Sequence, residues 1–213
     1  MGERALTLAD RVLGEIDKAI NVLCATPHAR RASPPAPPDR SALGELERRE
    51  AARLMRVNHA GEVAAQALYR GQALSARDGG TARAMRQAAE EEMDHLAWCN
   101  QRLVELSGRT SVLNPIWYAG SFLIGSLAGV LGDSTSLGFI RETERQVESH
   151  LRSHLERLPA DDQRSRAILE QMTHDEIQHG ANAAALGGKE LPLWLRGAMH
   201  LTSRLMTKGS YWL

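Results

Sequence analysis

Two short motifs, each with a glutamate three residues before a histidine, are the part of this sequence best suited to chemistry. They are Glu92 with His95 and Glu176 with His179. In an α-helix, side chains three residues apart project from one face, so each pair can reach the same ion. Oxygen and nitrogen donors without a thiolate suit iron or manganese better than a structural zinc. The motifs therefore predict a metal site.

A further glutamate precedes each motif by a similar distance. Glu62 lies 30 residues before the glutamate of the first motif, and Glu144 lies 32 residues before that of the second. Strong turn signals break both intervals, at residues 77–80 and 158–161. At about 1.5 Å per residue, each predicted helical hairpin returns its chain to the height at which it started. Glu142 is an alternative to Glu144, but Glu144 shares its helical face with apolar residues and is therefore favoured.

Four glutamates gathered in a protein interior would repel one another, and each unpartnered buried charge costs several kcal/mol. Two divalent cations would cancel the four negative charges, and two neutral imidazoles would complete the coordination. One glutamate from each of two helices plus a Glu-x-x-His pair from each of two others is the ligand set of ferritin-like di-iron carboxylate bundles. The sequence predicts a di-metal centre with the ligands Glu62, Glu92, His95, Glu144, Glu176 and His179.

Composition and patterning indicate the fold class. The chain has 213 residues, with 26 Lys and Arg against 26 Asp and Glu, so it has no overall positive field and nucleic acid is not expected as a partner. No segment alternates apolar and polar residues as a strand does. We therefore predict an all-α fold: a ferritin-like four-helix bundle with a di-metal core, plus extra N-terminal, crossover and C-terminal helices.

The predicted organisation is a single ferritin-like domain over residues 1–213. Thr7 is a suitable N-cap for its first helix, and acidic residues interrupt the N-terminal apolar positions, so we expect no secretory signal there. Prolines then exclude a helix and favour a stiff linker. The predicted parts are an N-terminal helical appendage (1–32), a proline-rich linker (33–39), the metal-binding bundle (42–186) and an interfacial helix (190–213).

An uncharged run of 23 residues, 110–132, connects the two hairpins. Pro115 and four glycines dilute its hydrophobicity, so a membrane-spanning helix is not expected. Two interpretations remain. One is a buried crossover helix packed through Gly120, Gly125 and Gly129, and the other is a helix that dips into a membrane surface. The C-terminal helix favours membrane contact, because its apolar and aromatic residues recur on one face beside basic residues.

Four segments make the sequence resemble a known family. They are residues 56–62 (RVNHAGE), 91–96 (EEMDHL), 142–148 (ETERQVE) and 175–180 (DEIQHG). These segments are similar to the demethoxyubiquinone hydroxylase family of ubiquinone biosynthesis, in its bacterial form. The first segment is the most specific of the four, since generic di-iron bundles lack it.

The resemblance implies a cofactor, a reaction and a location. It implies two iron ions, one bound by Glu62, Glu92 and His95 and the other by Glu144, Glu176 and His179, with Glu92 and Glu176 bridging. It implies an O2-dependent monooxygenase that hydroxylates the ring of a polyprenylated 6-methoxy-3-methyl-1,4-benzoquinol. It also implies a peripheral protein on the cytoplasmic face of the inner membrane. A homo-oligomer and a complex of ubiquinone-biosynthesis proteins both remain open.

Several residues near the predicted ligands have open roles. His59 lies three residues before a predicted ligand and is either a ligand itself or a neighbour of the ligands. Glu148 is either an outer group of the site or a solvated charge. Asp94 and Asp175 point away from the ligand face of their helices, and we expect them to orient a histidine of a neighbouring helix through its second ring nitrogen.

Two other functions compete with the hydroxylase. A ferritin- or rubrerythrin-like iron store or peroxide scavenger uses the same ligands, but it needs neither the uncharged run nor the aromatic C-terminal helix. A non-enzymatic helical adaptor gives no reason for six matched ligands. The sequence therefore favours the hydroxylase.

Overall fold

The computed structural model describes residues 7–37 and 42–213. The first six residues of the predicted appendage and residues 38–39 of the predicted linker lie outside the described residues. The described residues form helices and no strand, which confirms the predicted all-α class. The helices are α1 (Leu8–Cys24), α2 (Glu45–Ser75), α3 (Gly79–Glu105), α4 (Asn114–Val130), α5 (Asp133–Arg157), α6 (Gln163–Ala185) and α7 (Leu193–Trp212).

Local capping explains where the helices begin. Thr7 caps α1, as predicted. The carboxylate of Asp78 accepts a hydrogen bond from the backbone N–H of Thr81 at 2.7 Å at the start of α3. Asp162 accepts one from the backbone N–H of Ser165 at 2.9 Å at the start of α6. These caps satisfy N–H groups that the first turn of a helix leaves free. Helix α3 therefore starts inside the predicted turn at 77–80, and α6 starts just after the one at 158–161.

Helices α2, α3, α5 and α6 form the bundle, and α4 connects its two hairpins. The α2–α3 loop meets the start of α5, because the backbone N–H groups of Arg77 and Asp78 donate to Asp133 at 3.0 and 2.8 Å. The end of α3 meets the start of α6 through Arg102 and Asp162, 2.7 Å apart. The 17 residues of α4, about 26 Å of helix, therefore cross the bundle lengthwise, as in a ferritin-like fold.

Helix α4 packs closely along α2 through two glycines. A Cβ on Gly125 would lie 2.1 Å from the carbonyl oxygen of Leu68, and one on Gly129 would lie 2.1 Å from Ser75 Oγ. A side chain at either position would force the helices apart. The predicted packing through glycines is therefore right for these two residues. It is wrong for Gly120, which has nothing within 4 Å of such a Cβ because it lies on the exposed face of α4.

The apolar core of the bundle has two parts with a polar layer between them. One cluster includes Leu54 and Leu103, and the other includes Tyr69 and Ile140. On each of the four bundle helices, the predicted ligands lie between residues of the two clusters. The clusters exclude water from both sides of the polar layer, so charged groups in that layer need partners from within the protein or from a bound ion.

Helices α1 and α7 pack outside the bundle. Helix α1 contacts α2 and α4, and α7 contacts α2 and α5. Helix α7 also lies antiparallel to α4: Trp117 Nε1 donates to Ser210 Oγ at 3.0 Å, while Ala128 shares a cluster with the partly buried Met199. In the described part of the chain, no helix combines the length and apolar content that a membrane crossing needs.

Candidate metal centre

The structure brings the six predicted ligand side chains together at the centre of the bundle. Two groups of ligand atoms form, each within 4.8 Å: one from Glu62, Glu92, His95 and Glu176, the other from Glu92, Glu144, Glu176 and His179. Glu92 and Glu176 belong to both groups, and each is only 1% exposed. The geometry therefore offers two adjacent metal positions that share two carboxylates.

Each histidine turns its Nδ1 atom toward the shared carboxylates. His95 Nδ1 lies 2.9 Å from Glu92 Oε2 and 3.2 Å from Glu176 Oε1. His179 Nδ1 lies 3.1 Å from Glu92 Oε1 and 3.3 Å from Glu176 Oε2. Each shared carboxylate thus presents one oxygen to each imidazole. This is the arrangement that a pair of ions between the histidines requires.

The second ring nitrogen of each histidine reaches a carboxylate on the opposite hairpin. His95 Nε2, on α3, lies 3.0 Å from Asp175 Oδ2 on α6. His179 Nε2, on α6, lies 3.0 Å from Glu91 Oε2 on α3. A carboxylate at this position accepts the Nε2–H of a neutral imidazole, which leaves the lone pair on Nδ1 directed at the centre. Each histidine therefore takes its outer partner from the residue that immediately precedes the glutamate of the other motif.

The sequence predicted only part of this outer arrangement. The expected contact of Asp175 with a histidine of a neighbouring helix is present. The same expectation for Asp94 is wrong, because Asp94 accepts hydrogen bonds from the backbone N–H of Arg30 at 2.6 Å and from Arg31 Nε at 2.8 Å. Sequence reasoning missed Glu91. A usable signal was present, since an acidic residue immediately precedes the glutamate of both motifs.

The other candidates near the site lie outside both ligand groups. Glu142 forms ion pairs with two arginines. Glu148 pairs with Arg152 at 2.9 Å in a partly exposed ion pair, which agrees with the solvated-charge interpretation. His59 lies with Nδ1 3.4 Å from the side-chain nitrogen of Asn114. Burial lowers the pKa of His59 to about 4, so its ring is neutral near pH 7.

Burial makes the charges of the cluster costly. It raises the pKa of Glu62 and of Glu144 well above the usual value for a glutamate, and neighbouring carboxylates add to the effect. Burial also raises the pKa of Glu92, but His95 and His179 outweigh it and lower the pKa overall. Although burial opposes its charging, hydrogen bonds to the shared glutamates raise the pKa of His179 to about 12. In the metal-free chain, bound protons therefore neutralise part of the negative charge that metal ions would otherwise balance.

The unsatisfied atoms of the cluster fit a pair of cations. Glu144 Oε1 is buried without a hydrogen-bond donor, and the buried Oε1 atoms of Glu92 and Glu176 face an imidazole Nδ1 at 3.1 and 3.2 Å. Within the described ranges, no lysine or arginine forms an ion pair with any of the four predicted glutamate ligands. Buried carboxylate oxygens without donors are strongly unfavourable, and coordination to divalent ions would satisfy them together. The residues present therefore fit a di-metal centre.

A cavity of about 350 Å³ opens beside one end of the cluster. It lies between α3, α5 and α6, and apolar side chains including Met85, Leu137 and Ile140 line it together with Glu91 and His179. Small-molecule sites usually have volumes of about 300–1,000 Å³ with mainly apolar walls. The cavity therefore offers a small apolar molecule a place next to the His179 end of the centre.

The chain has the fold of a ferritin-like protein with a candidate di-metal centre. This class is defined by the four-helix bundle, the crossover helix and the buried cluster of carboxylates and histidines. The chain belongs to the family described as ubiquinone biosynthesis protein COQ7, whose model matches residues 49–210. This confirms the family resemblance seen in the sequence motifs.

Relatives of nearly equal length support the family membership. The 3-demethoxyubiquinol 3-hydroxylase of Chromobacterium violaceum is 53% identical over 204 residues, which cover 96% of this chain and 99% of that protein. The protein of the same name from Bordetella parapertussis is 54% identical over 214 residues, covering 100% of this chain and 96% of that protein. The one from Nitrosomonas europaea is 51% identical, covering 95% and 98%.

Proposed function

We propose that this protein hydroxylates the ring of a polyprenylated 6-methoxy-3-methyl-1,4-benzoquinol with O2 at a pair of iron ions, as a step of ubiquinone biosynthesis. The observation that carries the proposal is the buried cluster of six matched side chains at the bundle centre. Family membership and relatives named 3-demethoxyubiquinol 3-hydroxylase support the substrate. An iron store or peroxide scavenger uses the same ligands, but the apolar cavity beside His179 favours an organic substrate.

The proposed ligands follow the two groups of converging atoms. One iron would be held by Glu62, Glu92 and His95, the other by Glu144, Glu176 and His179, with Glu92 and Glu176 bridging. Four carboxylates would balance the charge of two divalent ions, and carboxylate oxygens with imidazole nitrogens are donor types that suit iron. When bound in its reduced form, the iron pair supplies O2 activation, a chemistry that no amino-acid side chain offers.

The outer carboxylates set the protonation and the orientation of the histidines. Asp175 and Glu91 hold a proton on the Nε2 atoms of His95 and His179, so that the Nδ1 atoms keep their lone pairs for the ions. Each carboxylate belongs to the hairpin opposite its histidine. Correct ligand geometry therefore depends on the packing of α3 against α6, and not on either motif alone.

The cavity beside His179 is the proposed position of the quinol ring. Its apolar side chains, including Met85, Leu137 and Ile140, exclude water from a ring that lies against them. The cavity reaches the cluster at His179, which is 11% exposed in its side chain, whereas the side chain of His95 has no exposure. The ring would therefore approach the centre from the His179 end.

The exposed faces of α4 and α7 are the proposed membrane contact. Ile116, Leu123 and Leu127 of α4 are 62–66% exposed and recur at helical spacing. On α7, Leu201 and Leu205 are each 61% exposed. The two helices lie side by side. Apolar faces of this size on a soluble bundle usually mark an interaction surface, and a polyprenylated substrate resides in a lipid bilayer.

Basic residues beside the apolar face fit the headgroups of anionic lipids. Arg204 and Lys208 of α7 are exposed near Leu205. Each basic residue at the surface of an anionic membrane contributes about 1 kcal/mol to binding. The proposed location is therefore the surface of the inner membrane on its cytoplasmic side, with α4 and α7 lying in the interface as a peripheral contact.

The quinone content of a bacterial strain without its own hydroxylase tests the proposed reaction. Complementation with this chain should convert the accumulated demethoxy precursor to ubiquinone, and Glu176→Ala should leave the precursor in place because it removes a bridging ligand. Glu170→Ala is the matched control, since Glu170 is an exposed residue of the same helix. If the wild-type protein binds iron but leaves demethoxyubiquinol unchanged and assembles into a large cage, the iron-store alternative is correct.

Sedimentation with liposomes of phosphatidylcholine and phosphatidylglycerol tests the membrane contact. The variant Leu201→Ser should bind up to about 30-fold more weakly than wild type, because a fully buried leucine contributes about 2 kcal/mol. Leu46→Ser is the control, since Leu46 is 82% exposed on α2, away from the proposed contact. Equal binding of wild type and both variants would rule out α7 as the contact helix.

A further inference from the structure

The segment between α1 and α2 lies against α3. One turn of α3 holds it. Asp94 accepts hydrogen bonds from the backbone N–H groups of Arg30 and Arg31, at 2.6 and 3.3 Å. Trp98 Nε1 donates to the carbonyl oxygen of Arg31 at 3.2 Å. These contacts fix the backbone of one residue, Arg31, over the surface of the helix that carries His95.

The side chain of Arg31 then bridges α3 and α6. Its Nε atom lies 2.8 Å from Asp94 Oδ2, and its Nη2 atom lies 2.9 Å from Asp175 Oδ2. The guanidinium group also lies over the ring of Trp98, 4.9 Å from the ring centroid. Asp175 Oδ2 is the same atom that lies 3.0 Å from His95 Nε2. A continuous chain of contacts thus runs from Arg31 through Asp175 to a predicted metal ligand.

Among the described residues, no arginine gives the other histidine this support. Its partner Glu91 accepts a hydrogen bond from Gln87 at 2.9 Å and has a side chain that is 42% exposed. The side chain of Asp175 is 12% exposed. A carboxylate that a guanidinium holds is restricted in its orientation, whereas a partly exposed side chain has more freedom to turn away from its partner. The two ends of the cluster are therefore alike in their ligands and different in their outer contacts.

We propose that Arg31 is a positioning residue of the metal centre, acting on His95 through Asp175. By holding the carboxylate of Asp175 against His95 Nε2, it keeps Nδ1 of His95 directed at the ion. The segment that carries Arg31 precedes residues 49–210, which the family model matches. The inference rests on the proposed metal binding and predicts that the ion at His95 is held more firmly than the ion at His179.

Metal retention against a chelator tests this role. Wild-type protein and variants are loaded anaerobically with Fe(II), dialysed against rising concentrations of a chelator, and assayed for iron per chain. In wild type, the first iron to leave should be the one at His179. In Arg31→Gln, the iron at His95 should become about 3- to 10-fold easier to remove, below the 10- to 100-fold effect usual for a direct partner of a ligand.

Three further variants show whether the effect of Arg31→Gln is specific to its contact with Asp175. Arg30→Gln is the matched control, because the side chain of Arg30 pairs with the exposed Glu90 and with no predicted ligand or outer partner in the described part of the chain. This variant should retain iron as wild type does. Arg31→Lys should restore part of the retention, since it keeps the charge beside Asp175. Asp175→Asn combined with Arg31→Gln should be no worse than Asp175→Asn alone, because Arg31 acts through that carboxylate.

The outcomes separate this inference from the proposed function. If wild-type protein binds no iron, the proposed function itself is wrong. If wild type binds two irons and Arg31→Gln releases both at the wild-type chelator concentrations, the proposed function stands and the positioning role is wrong. The positioning role is also wrong if Arg31→Gln weakens both irons equally and lowers the melting temperature of the metal-free protein. Selective weakening of one iron, with an unchanged metal-free melting temperature, supports it.

Discussion

Replacement of Glu144 by glutamine should stabilise the metal-free protein, although it should destroy the proposed centre. Burial raises the pKa of Glu144 well above its usual value, and the nearby Glu176 adds to the effect. The residue is 2% exposed and one of its oxygens has no hydrogen-bond donor. A glutamine of similar shape cannot ionise. It therefore removes the cost of this acid while it fills the same space.

The magnitude follows from linkage between folding and proton binding. A carboxyl group with a raised pKa in the folded state must keep a proton that the unfolded chain releases above about pH 4.3. The resulting destabilisation is absent below that pH and grows by about 1.4 kcal/mol per pH unit until the folded pKa is reached. At pH 7 its upper limit is roughly 3–4 kcal/mol, and at pH 5 it is about 1 kcal/mol.

Urea unfolding of chelator-treated protein at pH 5, 6, 7 and 8 measures the effect. The free energy of unfolding of Glu144→Gln should exceed that of wild type, and the difference should widen as the pH rises. The control Glu148→Gln alters a partly exposed ion pair on the same helix and should change stability by less than about 0.5 kcal/mol at every pH. A difference for Glu144→Gln that stays constant with pH, or a less stable variant, would refute the electrostatic account of this site.

Three further measurements test other parts of the structure. Addition of Fe(II) should raise the melting temperature of wild type but not of Glu144→Gln, as measured by anaerobic circular dichroism. Burial lowers the pKa of His154 to about 3, so the unfolded chain binds a proton there more readily than the folded chain and acid destabilises the fold. Urea titrations should therefore show that the free energy of unfolding of wild type falls between pH 7 and pH 5 by about 1–2 kcal/mol more than that of His154→Gln. Gly125→Ala should lower the melting temperature by several degrees because its Cβ would meet the backbone of α2, whereas Gly120→Ala should not.

The centre of the fold was predictable because it depends on helix geometry alone. The i, i+3 spacing of each motif and the nearly equal arms of each hairpin bring Glu62, Glu92, Glu144 and Glu176 to one height, which the structure reproduces. Pro159 also marks the turn after α5, because proline acts locally, whereas Gly79 and Gly80, expected in a turn, are the first residues of α3. Whether the six side chains bind iron remains a prediction from the sequence and from the resemblance.

The outer contacts were less predictable because they depend on how helices face one another. Asp94 and Asp175 look alike in sequence, yet only Asp175 reaches a histidine, since the rotation of α6 against α3 decides which carboxylate meets which ring. Asp94 is instead bound by Arg30 and Arg31, which are distant in sequence and lie in the loop between α1 and α2. Similarly, Gly120 and Gly125 differ only in the face of α4 that they occupy.

The repeated hairpins present nearly equivalent ligands, but their surroundings break the symmetry. At one end, His95 is fully buried, and its partner Asp175 is tied to Arg31. At the other end, His179 borders the apolar cavity, and its partner Glu91 is partly exposed. An ion needs firm ligands to be retained and an open side to meet a substrate. In the proposed centre, the His95 end would therefore anchor its ion, and the His179 end would be the one that a quinol approaches.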